Sequence, residues 1–109
     1  MLMGKIRFMR VIVMFDLPTL TSEQKREYRR FRKWLLEDGF VMMQMSIYSK
    51  IVLNENSAKL LTKRVDEVKA KEGVIQILVL TEKQYNNIEY VQGEDKSEVI
   101  NTMDRVVFL

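Results

Sequence analysis

RVIVMFDLPT, residues 10–19, is the stretch that decides the fold of this chain, because an unbroken apolar run ends there in a carboxylate and a proline. Residues 11–15 contain no polar side chain and are rich in β-branched residues, which predicts a central strand covered on both faces of a sheet. Pro18 has no N–H to donate and biases Leu17 toward an extended backbone, so we expect the chain to leave the sheet there. Asp16 is therefore predicted to lie at the tip of a buried strand.

Two interpretations of Asp16 follow from that position. A carboxylate held at a strand tip is displayed where catalytic and metal-binding residues are commonly found. Alternatively, Asp16 accepts hydrogen bonds from backbone amides in the turn before Pro18 and has a purely structural role. The residues around Asp16 leave both interpretations open.

The composition of the 109-residue chain restricts the chemistry that Asp16 can join. The length predicts one domain. The sequence contains no cysteine and no histidine, which excludes disulfides, thiolate zinc sites, cysteine nucleophiles and a histidine base. Oxygen ligands remain, and they suit Mg²⁺ or Mn²⁺, which typically bind phosphorylated substrates. The absence of a bilayer-length apolar run and of a signal-type opening predicts a cytoplasmic protein.

The positive charge is concentrated in the first half of the chain. The net charge is +3, and residues 1–50 carry ten Lys and Arg against five Asp and Glu. This asymmetry predicts a polyanionic partner for the N-terminal half.

A helix is predicted to follow the first strand. Thr21 and Gln24 have capping-box spacing, and Gly39 suits the left-handed position that ends a helix near Asp38. Tyr28, Phe31 and Leu35 form its apolar face by helical spacing. The opposite face carries Arg26, Arg29, Arg30 and Lys33. That face is interpreted either as a solvated surface or as one that contacts phosphates.

The rest of the chain predicts two further strands, a second helix and a fourth strand. Residues 40–53 are too long for one strand and should break near residues 44–46, with Ser46, Tyr48 and Lys50 sharing one face by their period of two. The second helix is expected to run from residues 54–57 to about Lys71 and to be closed by Gly73. Residues 74–80 predict a second central strand, and residues 105–109 predict a strand that adds to the edge of a partner subunit.

This order predicts an α+β chain with the ferredoxin-like βαββαβ fold, in which an antiparallel sheet carries both helices on one face. We assign residues 1–93 to that core and residues 94–109 to a C-terminal linker and extra strand. Residues 11–15 and 74–80 are expected to be parallel neighbours. The uncovered sheet face predicts a homodimer, which would bring two Asp16 carboxylates together as a magnesium site completed by waters and phosphate oxygens.

Four segments resemble one known family. They are VMFDLPT at 13–19, YRRFRKWLLEDGF at 28–40, MQMSIYSK at 43–50 and LVLTEKQY at 78–85. Together they resemble the small CRISPR-associated endonucleases of the spacer-acquisition complex, the Cas-two family, over roughly residues 8–92. The C-terminal RVVFL and the first helix resemble versions from type II-A loci.

The resemblance implies a ferredoxin-like homodimer whose Asp16 binds Mg²⁺ or Mn²⁺ and serves phosphodiester hydrolysis of RNA or DNA. It also implies a scaffold that binds double-stranded prespacer DNA and bridges dimers of the CRISPR integrase, with the C-terminal strand docked on the partner subunit or the integrase. Ser46 and Tyr48 would orient phosphate or water. The predicted phosphate contacts to DNA are Arg7, Arg10, Arg26, Arg29, Arg30 and Lys33.

Two other functions stay open from the sequence. One is a stand-alone, metal-dependent RNA-cleaving toxin of similar fold. The other is a non-enzymatic nucleic-acid-binding ferredoxin-like domain, although paired aromatic residues, the usual sign of such domains, are missing from residues 11–15 and 74–80.

Overall fold

Four strands and three helices form along residues 7–94, the part of the chain that the computed structural model describes. The elements are β1 Met9–Asp16, α1 Ser22–Asp38, β2 Val41–Gln44, β3 Ile47–Val52, α2 Glu55–Val68, β4 Val74–Thr81 and α3 Glu82–Asn86. The predicted break between the second and third strands is confirmed at residues 45 and 46. The predicted strand at residues 105–109 lies outside the described residues.

The four strands form one sheet in the order β2-β3-β1-β4, and each neighbouring pair is antiparallel. This confirms the α+β class and agrees with the ferredoxin-like fold. The expected parallel pairing of residues 11–15 with 74–80 is wrong. The connection through α2 leaves β4 parallel to β3, and both strands are antiparallel to β1. β4 is also an edge strand rather than a second central one.

The hydrophobic core lies between one face of the sheet and the two long helices. Alternate residues of β1, from Met9 to Phe15, pack against Phe31 and Leu35 of α1 and against the α2 residues Ala58, Leu61 and Val65. Both helices therefore cover the same face, as predicted. β1 is an inner strand of the sheet. Its apolar run is therefore buried, at residues 11–13 and at Phe15.

Phe15 anchors the end of β1 that carries the candidate site. Its ring lies 5.2 Å from that of Phe31 in an edge-on contact, 5.7 Å from the stacked ring of Tyr48 and 5.9 Å from Tyr28. Aromatic pairs of this kind each stabilise a fold by about 0.5–1.5 kcal/mol beyond their buried area. The residue that precedes Asp16 is therefore held firmly in the core.

The predicted capping residues bound α1, but not the C-terminal end of α2. Thr21 and Gln24 form the predicted capping box of α1, and Gly39 ends that helix at φ +104°. The predicted end of the second helix is wrong, since α2 stops at Val68 and Gly73 instead precedes β4. Lys69 leaves the helical region at ψ 153°, which ends the helix early.

Asp38 joins three elements at the end of α1. Its carboxylate is only 9% exposed and accepts from Lys50 of β3 at 3.1 Å and from Arg64 of α2. The same Lys50 ammonium also donates to the backbone carbonyl of Asp38. This network ties both helices to the sheet.

Asp38→Ala is expected to lower the free energy of unfolding by about 1–2 kcal/mol, because two cations lose a largely buried acceptor. Urea denaturation measures the change. Asp66→Ala is the matched control, since Asp66 pairs with Lys69 through side chains that are both mostly exposed, and we expect it to cost under about 0.5 kcal/mol. Equal losses in the two variants would contradict the assigned role of Asp38.

Candidate metal and nucleic-acid site

Asp16 is the last residue of β1, and its side chain is exposed. The strand is held on both sides at this point. Asp16 pairs with Val74 in the ladder with β4, and the Phe15 amide donates to the Ser46 carbonyl at 3.0 Å. Within residues 7–94 the Asp16 carboxylate has no hydrogen bond or ion pair, which argues against the turn-capping interpretation.

Asp16 opens into a cleft of 260 Å³ that two other polar residues share. These are Ser46, in the turn between β2 and β3, and Gln76 of β4, and the cleft walls are apolar at Met14, Met45, Ile47 and Val74. The structure thus brings Asp16 and Ser46 together. Gln76 was not among the predicted site residues. It is the one polar residue of residues 74–80, and a polar side chain within an apolar strand is a signal that could have indicated it.

Tyr48 does not join this cleft. The residue is 1% exposed, and its hydroxyl accepts from Nε of Arg32 at 2.8 Å. The predicted shared face of Ser46, Tyr48 and Lys50 is wrong because Ser46 lies in a turn at φ +65° and so outside the strand's alternation. Tyr48 is a core residue, and a contact from its hydroxyl to phosphate or water would compete with the bond to Arg32.

Asp16 is the one carboxylate of the described residues that lines this cleft. Among residues 7–94, no group of three or more acidic residues is arranged to hold a metal ion. Mg²⁺ usually retains several waters and takes one or two carboxylates together with substrate phosphates. Asp16 could provide one such carboxylate, and Ser46 and Gln76 line the same cleft.

Three of the predicted cations form one stripe on the outer surface of α1. Arg26, Arg29 and Lys33 are exposed and follow i, i+3, i+7 spacing, which places them on one side of the helix. Within the described residues none of the three has an ion pair or a side-chain hydrogen bond. We refer to Arg26, Arg29 and Lys33 as the basic stripe.

Arg30 lies beside the stripe but is engaged within the fold. Its guanidinium donates to both carboxylate oxygens of Glu27 at 3.1 and 3.2 Å and to the Lys69 carbonyl at 3.2 Å. The hydrogen bond from Arg30 lowers the pKa of the Glu27 carboxyl below its ordinary value. A contact from Arg30 to phosphate would therefore compete with these bonds.

Arg10 is the clearest departure from the predicted phosphate contacts. It donates to both carboxylate oxygens of Glu82 at 2.9 and 2.8 Å and lies 4.0 Å from the centre of the Tyr85 ring. Because Glu82 neutralises Arg10, we assign Arg10 to holding α3 against β1. Arg7, in contrast, is exposed beside a cleft that Phe8 and Lys83 also line.

α3 itself was not predicted, although the sequence contains its capping signal. Thr81 and Gln84 form a capping box with the same spacing as Thr21 and Gln24. The spacing alone would have found this helix and placed Glu82 in its first turn.

Comparison with known proteins identifies the family. Residues 9–88 match the family described as "CRISPR associated protein Cas2". The chain belongs to the Cas2 family. Asp16 and the basic stripe both lie inside the matched residues.

Several similar Cas2 proteins carry the name "CRISPR-associated endoribonuclease Cas2". One from Treponema denticola is 46% identical over 101 residues, which is 93% of this chain and all of that protein. One from Ligilactobacillus salivarius is 44% identical with the same coverage, and one from Streptococcus mutans is 45% identical over 93% of both chains.

Within the residues that the structure describes, no helix has the length and apolar character required to cross a bilayer.

Proposed function

We propose that this Cas2-family chain serves CRISPR spacer acquisition as a homodimeric scaffold that binds double-stranded prespacer DNA and bridges dimers of the CRISPR integrase. The observation that supports this proposal most directly is the basic stripe, since its three cations are exposed and without partners among residues 7–94. The type II-A origin and the domain boundary at residue 93 stay predictions.

The basic stripe suits a nucleic-acid backbone better than it suits bases. Arg26 and Lys33 are seven residues apart, so the stripe extends about 10 Å along the helix axis. Cations on a helix surface neutralise phosphates without reading sequence, and their binding weakens as salt rises. Such binding suits a scaffold that accepts DNA of any sequence.

A second copy of the chain would cover the sheet face that lies opposite the two long helices. Ile51, Val74 and Leu78 expose apolar side chains, and their ladder positions beside Arg10, Asp16 and Ile12 place them on that face. Apolar surface of this kind favours a symmetric contact between identical chains. Because Val74 is the ladder partner of Asp16, this contact would bring the two Asp16 residues toward each other.

We further propose that the paired Asp16 residues support hydrolysis of phosphodiester bonds, with RNA as the first candidate substrate because the similar Cas2 proteins are named endoribonucleases. The two carboxylates would hold Mg²⁺ or Mn²⁺. When bound, such an ion supplies Lewis acidity and lowers the pKa of a water molecule. Ser46 and Gln76 would donate hydrogen bonds to phosphate oxygens at the rim of the cleft.

Leu78→Glu tests the dimer. We expect wild-type protein to have twice the 13.0 kDa chain mass in solution and to co-purify with the integrase, while Leu78→Glu is monomeric, because a charge cannot be buried unpaired at the interface. Light scattering measures the mass. Leu60→Glu is the matched control, since Leu60 is also an exposed leucine, on α2, at 57% against 46% for Leu78, and its variant should remain dimeric.

A monomeric wild-type protein would reject the proposed scaffold. Metal-dependent RNA cleavage by a protein that never binds the integrase would instead favour the stand-alone toxin.

A further inference from the structure

We infer that Gly73 is a positioning residue for the Asp16 carboxylate. The inference rests on the proposed role of Asp16, and it concerns how the fold fixes the direction of that side chain. Gly73 immediately precedes β4, whose first residue pairs with Asp16. No other glycine among residues 7–94 lies against the peptide that follows Asp16.

The backbone at Gly73 approaches β1 closely. A β-carbon added at residue 73 would lie 2.6 Å from the Asp16 carbonyl oxygen, 2.9 Å from Cδ2 of Leu17 and 3.0 Å from the Leu17 Cα. Two of these three atoms belong to the backbone, so a change of rotamer cannot relieve the contact. Any larger residue at position 73 must displace either β4 or the peptide that joins Asp16 to Leu17.

The same peptide has little freedom on its other sides. The Phe15 amide is bound to the Ser46 carbonyl, the Phe15 ring is packed among aromatic rings, and Pro18 restricts the backbone of Leu17. Because the neighbours of Asp16 are held on both sides, the peptide cannot shift as a whole, and we expect a displacement forced at residue 73 to rotate the backbone at Asp16. That rotation changes the direction of its Cα–Cβ bond and moves the carboxylate.

Two other glycines have a positive φ but lack the close backbone contact of Gly73, so they distinguish that contact from ordinary backbone strain. Gly39 has φ +104° and Gly93 has φ +89°, close to the +97° of Gly73, so alanine is similarly disfavoured at all three positions. An added β-carbon at Gly39 would meet only the flexible end of Lys50, at 3.5 Å or more, and at Gly93 it would meet nothing within 4 Å. Gly39→Ala and Gly93→Ala are thus matched controls.

The test compares Gly73→Ala with these controls by titration with Mn²⁺ alone. We expect Gly73→Ala to bind Mn²⁺ about tenfold more weakly than wild type, as is usual when support of a ligand is lost, while the controls change by less than about twofold. Thermal unfolding should show a lowered Tm in Gly73→Ala and Gly39→Ala alike. If Mn²⁺ affinity instead falls equally in Gly73→Ala and Gly39→Ala, or in neither, the inference is overturned.

A second measurement keeps this inference separate from the proposed catalysis. If Mn²⁺ binding by wild type does not depend on Asp16, as judged with Asp16→Asn, the proposed metal site fails. The inference about Gly73 is then decided in metal-free protein by the NMR resonances of the Asp16 backbone amide and carboxyl carbon. These resonances should shift in Gly73→Ala and not in Gly39→Ala, and unshifted resonances in Gly73→Ala would overturn the inference.

Should Gly73→Ala not fold, Gly73→Asn replaces it, because Asn tolerates positive φ but retains the β-carbon.

Discussion

Asp16→Asn is expected to reduce metal-dependent cleavage of RNA by at least about a thousandfold, because loss of several kcal/mol of charge stabilisation changes a rate by that factor. The substitution preserves the size of a side chain that is exposed and has no partner within the described residues. We therefore expect the free energy of unfolding to be unchanged. Single-turnover cleavage with Mg²⁺ or Mn²⁺ measures the effect.

Asp66→Asn is the control for the loss of charge, since Asp66 is an exposed carboxylate on α2 and its variant should cleave at the wild-type rate. Equal cleavage by Asp16→Asn and wild type would place the activity elsewhere. The same variant also separates the two proposed roles, because we expect it to bind the integrase and to support spacer integration. Loss of integration by a folded Asp16→Asn protein would show that the carboxylate is required for both.

Replacement of the basic stripe by Arg26→Gln, Arg29→Gln and Lys33→Gln together is expected to weaken duplex DNA binding by roughly ten- to a hundredfold at moderate salt. Each cation that contacts a phosphate contributes close to one unit to the slope of log K against log salt, so the slope should fall by about 2.7. Fluorescence anisotropy with one duplex at several salt concentrations gives both quantities. A duplex of unrelated sequence should behave alike.

The matched control removes three exposed cations from other surfaces, as Lys59→Gln, Lys63→Gln and Lys83→Gln. This variant has the same net charge as the stripe variant, so it controls for the general attraction between a basic protein and DNA. We expect it to bind the duplex within about twofold of wild type. If both variants weaken binding equally, DNA does not lie along α1.

The proposed site depends on short sequence patterns to different degrees. The tip position of Asp16 could be predicted because an apolar run and a proline define it within ten residues. The outward position of Arg26, Arg29 and Lys33 likewise follows from helical spacing. In contrast, Gln76 reaches the cleft only because β4 pairs with β1, and a sequence window that contains one strand cannot show its partner.

The same distinction applies to Arg10 and Arg30, which differ from the basic stripe in having partners within the fold. Arg10 meets Glu82, which is 72 residues away in sequence, and Arg30 binds the Lys69 carbonyl across 39 residues. The net charge and the helical spacing show how many cations a surface carries, but they do not show which of those cations have partners in the folded chain.

By itself the sequence determined the buried strand that ends at Asp16, the capped start and glycine end of α1, the order of the two long helices and four strands, and the absence of thiol and imidazole chemistry. The tertiary structure alone decided that β4 is an antiparallel edge strand, that Tyr48 is buried, that Glu82 neutralises Arg10 and that Gly73 lies against Asp16. The reason is the range of the interactions. Caps, turns and periodic faces depend on residues within a few positions of one another, whereas strand pairing, ion pairs and close backbone contacts depend on how the whole chain packs.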